Sequence, residues 1–191
     1  MLADMGDRVA WVSLRDVPEV PEVIEDGETF AANARKKALG YARATGLWTL
    51  ADDSGLVIDA LDAAPGVISA RYAADEAPSD DRHAIDRANY QKVLRLMDDV
   101  PDARRTARFV CHLCLASADA ILLEATGAVE GVIGRAPAGE KGFGYDPIFY
   151  LPTIGKTAAQ LDPDEKNRIS HRAQAIAALL PRLRGLLASG S

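Results

Sequence analysis

The chain has 191 residues, 48% of them hydrophobic and 26% charged, which is the balance of a globular domain large enough to bury a core. Its formal net charge of −6 argues against a broad electrostatic surface for nucleic acid, although an anionic small substrate can still bind to local cations or a metal. No apolar run is long enough to span a bilayer, and residues 1–8 lack the basic start and apolar stretch of a secretory signal. We therefore expect neither a nucleic-acid nor a membrane partner.

The first half of the chain predicts strands on either side of one helix. A strand is expected over residues 9–14. Thr29 is a candidate N-cap for a helix with an apolar stripe, and Gly46 is expected to end that helix. Three elements are expected next, namely a strand over residues 47–50, a turn over 52–55 and a second short strand over 56–58.

The second half of the chain predicts a helix, a hairpin and a helical C-terminus. The expected elements are a helix over residues 79–97, paired strands over 106–116 and 120–131, a glycine-rich loop over 139–147 and a short apolar run over 148–151. Asp162, Pro163 and Glu165 form a helix start, and helical sequence continues toward Leu187 with a restart at Ser170. Because parallel-type units are mixed with a hairpin, we expect a single elongated α/β domain with a mixed sheet over residues 1–191.

Two adjacent acids, Asp52 and Asp53, stand at the end of the predicted buried strand. Ligands of α/β proteins bind at that end of a sheet. Neighbouring side chains on an extended backbone point to opposite faces, so the sequence predicts that one acid faces a metal or substrate while the other supports the turn. A merely solvated acidic turn is the plain alternative.

The two cysteines, Cys111 and Cys114, form a C-x-x-C motif inside a β-like run. A redox or metal site would need a helix start or a second pair of ligands. In a strand the two sulfurs point to opposite faces, so we interpret both as small core residues. Unpaired thiols are typical of a reducing compartment, which favours the cytoplasm.

Three further clusters carry possible chemistry. Glu25 precedes the first helix, on which Asn33 and Lys37 share one face at positions i and i+4. In the glycine-rich loop, glycines flank Phe143 and Tyr145, an arrangement that lets the backbone approach a flat ligand while a ring stacks on it. The plain alternatives are a polar helix flank for the first cluster and a tight turn with a core aromatic for the second.

The third cluster is basic and lies over residues 166–172. Lys166, His171 and Arg172 supply hydrogen-bond donors that suit phosphate oxygens or a base carbonyl. A basic helix face is the plain alternative.

Taken in order, these motifs resemble the inosine/xanthosine triphosphate pyrophosphatases, which clear damaged purine nucleotides. The matching segments are residues 29–38, 51–56, 64–67, 69–72, 142–149, 165–167 and 170–172. The resemblance covers nearly all of the chain from about Val9 onward. It implies an α/β fold of the Maf/Ham type and Mg²⁺-dependent hydrolysis of the α–β phosphoanhydride of a noncanonical purine triphosphate (ITP, dITP or XTP), and it implies a homodimer.

The resemblance also implies roles for individual residues. Glu25 and Asp53 are the metal-side carboxylates, and Asp53 is also the base for the attacking water. Three residues bind the substrate, namely Ser54, Lys37 and Lys166. Phe143 stacks on the purine, and Tyr145 and Asp146 complete the pocket. His171 and Arg172 donate to the oxygen at purine position 6. Adenine presents an amine at that position, so such donors would reject it by a factor on the order of 10⁴.

The chain departs from the family pattern at its beginning. The opening strand and phosphate-binding loop of the family have no counterpart, and residues 1–7 resemble the tail of the first helix. We therefore expect a fold that lacks its first strand and most of its first helix. Either Met1 is an internal methionine of a longer reading frame, or the chain is short and impaired.

Three other functions stay open at this point. The first is a nucleotide-binding protein without turnover. The second is a Maf-type pyrophosphatase acting on modified pyrimidines, against which residues 170–172 argue. The third is an aspartyl-phosphate phosphatase built on Asp52 and Asp53.

Overall fold

The computed structural model describes residues 9–17, 20–76 and 80–189. The helices in these ranges are α1 (Phe30–Thr45), α2 (Arg82–Leu96), α3 (Pro163–Ile169) and α4 (His171–Ser189). The strands are β1 (Thr49–Ile58), β2 (Thr106–Ala116), β3 (Ile121–Ile133), β4 (Phe149–Leu151) and β5 (Lys156–Thr157). They form one sheet in the order β1-β2-β3-β4-β5, and β4 pairs antiparallel with both β3 and β5.

The chain divides into two compact units. The first unit comprises the described residues up to Asp53 together with Cys111–Gly127 and those from His171 onward. The second unit comprises the described residues of the ranges 54–110 and 128–170. A single domain over residues 1–191 stays a prediction.

Helix α1 packs in the first unit through its smallest side chains. Thr29 caps it by accepting a hydrogen bond from the Ala32 amide at 3.1 Å, and Gly46 ends it in the left-handed region at a φ of 72°. Ala34 and Ala38 are buried against Cys114 and other small residues of the sheet. This close packing fixes the face of α1 that carries Asn33 and Lys37.

The second unit has its own apolar core, beside which lies a buried arginine. The core contains Leu56, Ile58, Val93, Met97, Ile148 and Phe149. Arg105 is 3% exposed, and its guanidinium donates to the carbonyl oxygens of Met97, Val100, Ile133 and Gly134. Arg105 therefore joins the end of α2 to the end of β3.

Several predicted elements are confirmed. The hairpin strands expected over 106–116 and 120–131 are β2 and β3. Asp162 and Glu165 form a capping box with Pro163 at the helix start; α3 ends at Ile169, and α4 begins at His171, directly after the C-cap Ser170. The predicted α2 begins later than expected, at Arg82 with Asp81 as its N-cap, and residue 79 lies outside the described residues.

Two predictions for the N-terminal half are wrong. Residues 9–14 do not form a strand: Trp11 and Val12 are exposed, and a 3-10 turn over Leu14–Asp16 follows with Ser13 as its cap. The prediction of a turn over residues 52–55 is also wrong, because β1 runs without interruption from Thr49 to Ile58. The expectation that residues 1–7 form a helix tail lies outside the described residues.

Both cysteines are core residues, as predicted. Cys111 and Cys114 are thiols without solvent exposure, and they lie in separate apolar clusters of the first unit. Burial raises the pKa of the Cys114 thiol to about 11. None of the helices in the described residues is long and apolar enough to cross a membrane.

We expect the native protein to resist thiol reagents. At pH 8 a disulfide reagent such as dithionitrobenzoate will titrate fewer than one thiol per chain within minutes, because attack needs an exposed thiolate. After denaturation in guanidinium the same reagent will titrate both cysteines of the sequence. Rapid modification of the native protein would contradict the burial of this pair.

Candidate active site

Two carboxylates meet at one ammonium group in the first unit. Lys37, on α1, donates to Glu25 Oε2 at 2.7 Å and to Asp53 Oδ1 at 3.1 Å. Asp53 lies on β1 and is buried, whereas Glu25 is half-buried in the segment before α1. The structure thus brings together three of the residues that the sequence predicts for the site.

Asn33 holds the second oxygen of Asp53. Its side-chain nitrogen donates to Asp53 Oδ2 at 3.2 Å, and its side-chain oxygen accepts from the Gly27 amide at 2.7 Å. A Cβ on Gly27 would lie 2.6 Å from that oxygen, so glycine permits the close approach. Asn33 therefore links the segment bearing Glu25 to the Asp53 carboxylate.

The electrostatics of this group favour the uptake of another cation. Burial, together with a hydrogen bond to the Glu25 carboxyl, raises the pKa of Asp53 although Lys37 and Asn33 act in the opposite direction. Burial by itself would lower the pKa of Lys37, but its bonds to the two carboxylates outweigh burial and raise it. The Lys37 ammonium is thus shared by two carboxylates.

The donor set fits a hard divalent ion. The described residues contain no cluster of three or more His, Cys, Asp or Glu side chains that could enclose a metal. Mg²⁺ keeps several of its waters and binds through one or two carboxylates, which is what Glu25 and Asp53 offer. The pair therefore suits Mg²⁺ held jointly with a phosphorylated ligand.

Asp52 faces away from this group. Its Oδ2 accepts from Nη2 of Arg172 at 2.7 Å and from Nε at 3.3 Å. Burial opposes the charge of Arg172, but Asp52 outweighs it and raises the pKa of the guanidinium. The two acids point in opposite directions, as predicted. The prediction that Asp52 supports a turn is wrong, because the strand is continuous through this residue.

A second group lies on the loop before β4, in the second unit. Asp146 is buried, and its Oδ2 accepts from the Phe143 amide at 2.8 Å and from the Lys166 ammonium. That ammonium also lies 4.7 Å from the centroid of the Phe143 ring, whose residue is 57% exposed. Gly142 has a φ of 79°, and a Cβ there would strike the Asp146 carboxylate. Phe143 is thus an exposed ring on a constrained loop.

The other predicted site residues have different surroundings. Tyr145 is buried with its hydroxyl donating to the Ser69 carbonyl at 2.8 Å, and burial raises the pKa of that hydroxyl. Ser54 is half-buried on β1, and His171 is the buried first residue of α4. The roles in catalysis, metal binding and substrate binding that the sequence predicts for these and the other site residues stay predictions.

Sequence reasoning missed Asp86. This α2 residue is buried and accepts from the Gly144 amide at 2.8 Å through Oδ2. Asp86 lies between Ile85 and Arg87 on a helix of mixed polar and apolar residues, so nothing in the local pattern distinguishes it from a solvated acid.

An α/β fold with two carboxylates on a half-buried lysine is suited to phosphoryl chemistry, in which positioning and charge neutralisation do most of the catalytic work. The model of the Ham1 family matches residues 1–182, and the chain belongs to that family. A dITP/XTP pyrophosphatase of Shouchella clausii is 49% identical over 180 residues, covering 94% of this chain and 87% of that relative. One from Desulforamulus reducens is 51% identical over 165 residues, covering 86% and 79%.

Solved structures agree with this assignment. A HAM1 protein from Coxiella burnetii superposes with a TM-score of 0.78 at 44% identity, covering 90% of this chain and 89% of its own. A nucleoside-triphosphatase (dITP/XTP pyrophosphatase) from Mycobacterium abscessus gives a TM-score of 0.73 at 47% identity, with coverages of 90% and 84%. The mixed α/β fold expected from the sequence is thereby confirmed.

Proposed function

We propose that this protein hydrolyses noncanonical purine nucleoside triphosphates (ITP, dITP and XTP) to the monophosphate and pyrophosphate, and so removes damaged purines from the nucleotide pool. The observation that carries the proposal is the Glu25–Lys37–Asp53 group. The names of the relatives at 49% and 51% identity, dITP/XTP pyrophosphatases, supply the substrate class.

Within this group Asp53 is the proposed base. Its carboxylate is the buried acceptor of this group and can take the proton of the attacking water. Asn33 holds one oxygen of Asp53 and Lys37 the other, so the carboxylate is oriented before substrate arrives. The proton passes from the water to Asp53 as the water oxygen bonds to the α-phosphorus; the α–β phosphoanhydride bond breaks, and pyrophosphate leaves.

We propose that Glu25 and Asp53 hold Mg²⁺. When bound, this ion neutralises charge that develops on the phosphate oxygens. Lys37 contributes a fixed positive charge to the same end. In the second unit, Phe143 offers its exposed ring to the purine base, and Lys166 lies above that ring.

The test is pyrophosphate release from a panel of triphosphates with Mg²⁺ and with EDTA. We expect turnover of ITP, dITP and XTP, turnover of ATP lower by a factor on the order of 10⁴, and loss of activity under chelation. Equal cleavage of ATP and ITP, or full activity in EDTA, would refute the proposal. Preference for modified pyrimidine triphosphates would favour the Maf-type alternative. Binding of nucleotide without release of pyrophosphate would favour a nucleotide-binding protein without turnover.

Two further properties are proposed from the family resemblance, namely a homodimer and a cytoplasmic location. Light scattering tests the first: a homodimer has twice the chain mass of 20.4 kDa.

Replacing Lys37 with methionine should lower kcat/KM for ITP by about 10²- to 10³-fold, because the site loses its fixed cation while the two carboxylates remain. The matched control is Lys36→Met. Lys36 pairs with Asp26 on the exposed side of the same helix, so that variant should stay within about 2-fold of the parent. Similar losses in both variants would point to a general effect on α1 instead.

A further inference from the structure

The loop over residues 142–146 is held at two consecutive amides by two carboxylates. The Phe143 amide donates to Asp146 Oδ2, and the Gly144 amide donates to Asp86 Oδ2, both at 2.8 Å. Gly142 and Gly144 have φ values of 79° and 62°, a region that glycine enters readily. Two glycines around Phe143 would leave its backbone free to move without such anchors.

Asp86 reaches the loop from a rigid support. It lies on α2, whose Val93 belongs to the buried core of the second unit. One turn further along, Asn89 bonds the Ala73 amide at 2.8 Å and the Ala70 carbonyl at 3.2 Å. These contacts hold α2, so the position of Asp86 is set independently of the loop.

Asp86 is 8% exposed, which makes the charge of its carboxylate costly unless it is compensated. Compensation comes from the Gly144 amide on one side and, through Oδ1, from Arg82 Nε at 3.2 Å on the other. The Arg82 side chain is 60% exposed, so this ion pair is a weak one. The bond to Gly144 is therefore the contact through which Asp86 affects the loop.

We infer that Asp86 is a positioning residue for base binding: by holding the Gly144 amide, it fixes the loop that presents the Phe143 ring to the purine. This inference rests on the proposed function. Asp86 takes no part in the reaction at phosphorus, so its loss acts on substrate binding.

The kinetic test compares Asp86→Ala with Asp86→Asn, using ITP. The alanine variant should raise KM about 10-fold, the effect of losing a hydrogen bond to a charged group, with kcat changed by less than about 2-fold. The asparagine variant keeps a side-chain oxygen for the Gly144 amide and should restore KM to within about 3-fold. Arg82→Gln is the matched control and should leave both constants within about 2-fold.

A double-mutant cycle shows whether Asp86 acts through Phe143. Phe143→Ala should itself raise KM about 10-fold or more by removing the stacking surface. Adding Asp86→Ala to that variant should change KM by less than about 2-fold, because the ring it positions is gone. Independent, multiplied effects of the two substitutions would overturn the inference.

Amide hydrogen exchange of the free protein gives a readout that needs no substrate. Exchange at Gly144 should speed up about 10-fold or more in Asp86→Ala and return toward the parent rate in Asp86→Asn. If the alanine variant fails to fold, Asp86→Glu, which displaces the carboxylate by one methylene, should raise KM in the same way. Turnover of ITP with unchanged KM in these variants would refute the positioning role alone, whereas a parent protein inactive on every triphosphate would refute the proposed function.

Discussion

Asp53→Asn should lower kcat for ITP by about 10²- to 10⁴-fold, the range for loss of a general base. Asparagine keeps the shape of the side chain but cannot take a proton from water. It also removes one of the two carboxylates proposed to hold Mg²⁺. The measurement is pyrophosphate release under saturating substrate and Mg²⁺.

The folded state of Asp53→Asn should be as stable as that of the parent or more stable, although its activity falls. The pKa of Asp53 is raised in the folded protein, so its ionisation costs folding free energy, and this cost is present at any pH above the folded pKa. A neutral asparagine should therefore leave the melting temperature at pH 8 unchanged or higher, as expected where activity is maintained at the expense of stability. A large drop in melting temperature would mean that inactivity reflects unfolding.

The neighbouring substitution Asp52→Asn provides the matched comparison. Asp52 lies on the same strand but pairs with Arg172, so its loss should change kcat by less than about 10-fold. If both variants lost activity equally, the assignment of the base to Asp53 would be wrong.

Arg105→Met should destabilise the protein by about 3–5 kcal/mol, because it removes a buried guanidinium that donates to four carbonyl oxygens from the ends of α2 and β3. For a chain of this size that corresponds to a fall of about 10 °C in melting temperature. Differential scanning fluorimetry is sufficient to measure it.

Arg104→Met is the control, since Arg104 is exposed beside Arg105 in the sequence and should shift the melting temperature by less than about 2 °C. Arg105→Lys should be intermediate because a single ammonium cannot reproduce the planar fork. A methionine variant as stable as the parent would show that the four carbonyls find other partners.

The helix ends were predictable because their signals are local. Thr29 and Asp162 need only backbone amides a few residues away, and Gly46 needs only its own freedom at positive φ. The hairpin strands β2 and β3 were predictable for the same reason, since their alternation and their short connection lie together in the chain.

Strand β1 shows where local rules fail. The residues Asp-Asp-Ser-Gly favour a turn, yet Leu56 and Ile58 must reach the core of the second unit, and this burial keeps the backbone extended. Residues 9–14 show the converse: their alternation favours a strand, but in the structure they lie outside the sheet.

The site residues likewise divide into those with a local sequence signal and those without one. The i, i+4 spacing of Asn33 and Lys37 predicted their shared face, and the structure adds that this face meets Asp53. Asp86 and Arg105 gave no local signal, because Gly144 and Ile133, whose backbone groups they bind, lie far from them in the sequence. Polar residues on helices and strand ends need a tertiary context before their roles can be assigned.

Because β1 is extended without interruption, the face on which each of its two acids lies depends on whether its distance in sequence from the core residues is odd or even. Inserting or deleting a single residue between Asp53 and Leu56 would, if Leu56 and Ile58 kept their places in the core, turn each carboxylate to the opposite face of the sheet. Lys37 would then lose its contact with Asp53, and Arg172 would lose its contact with Asp52. In this stretch, frame-preserving indels of one codon should be tolerated far less well than most substitutions.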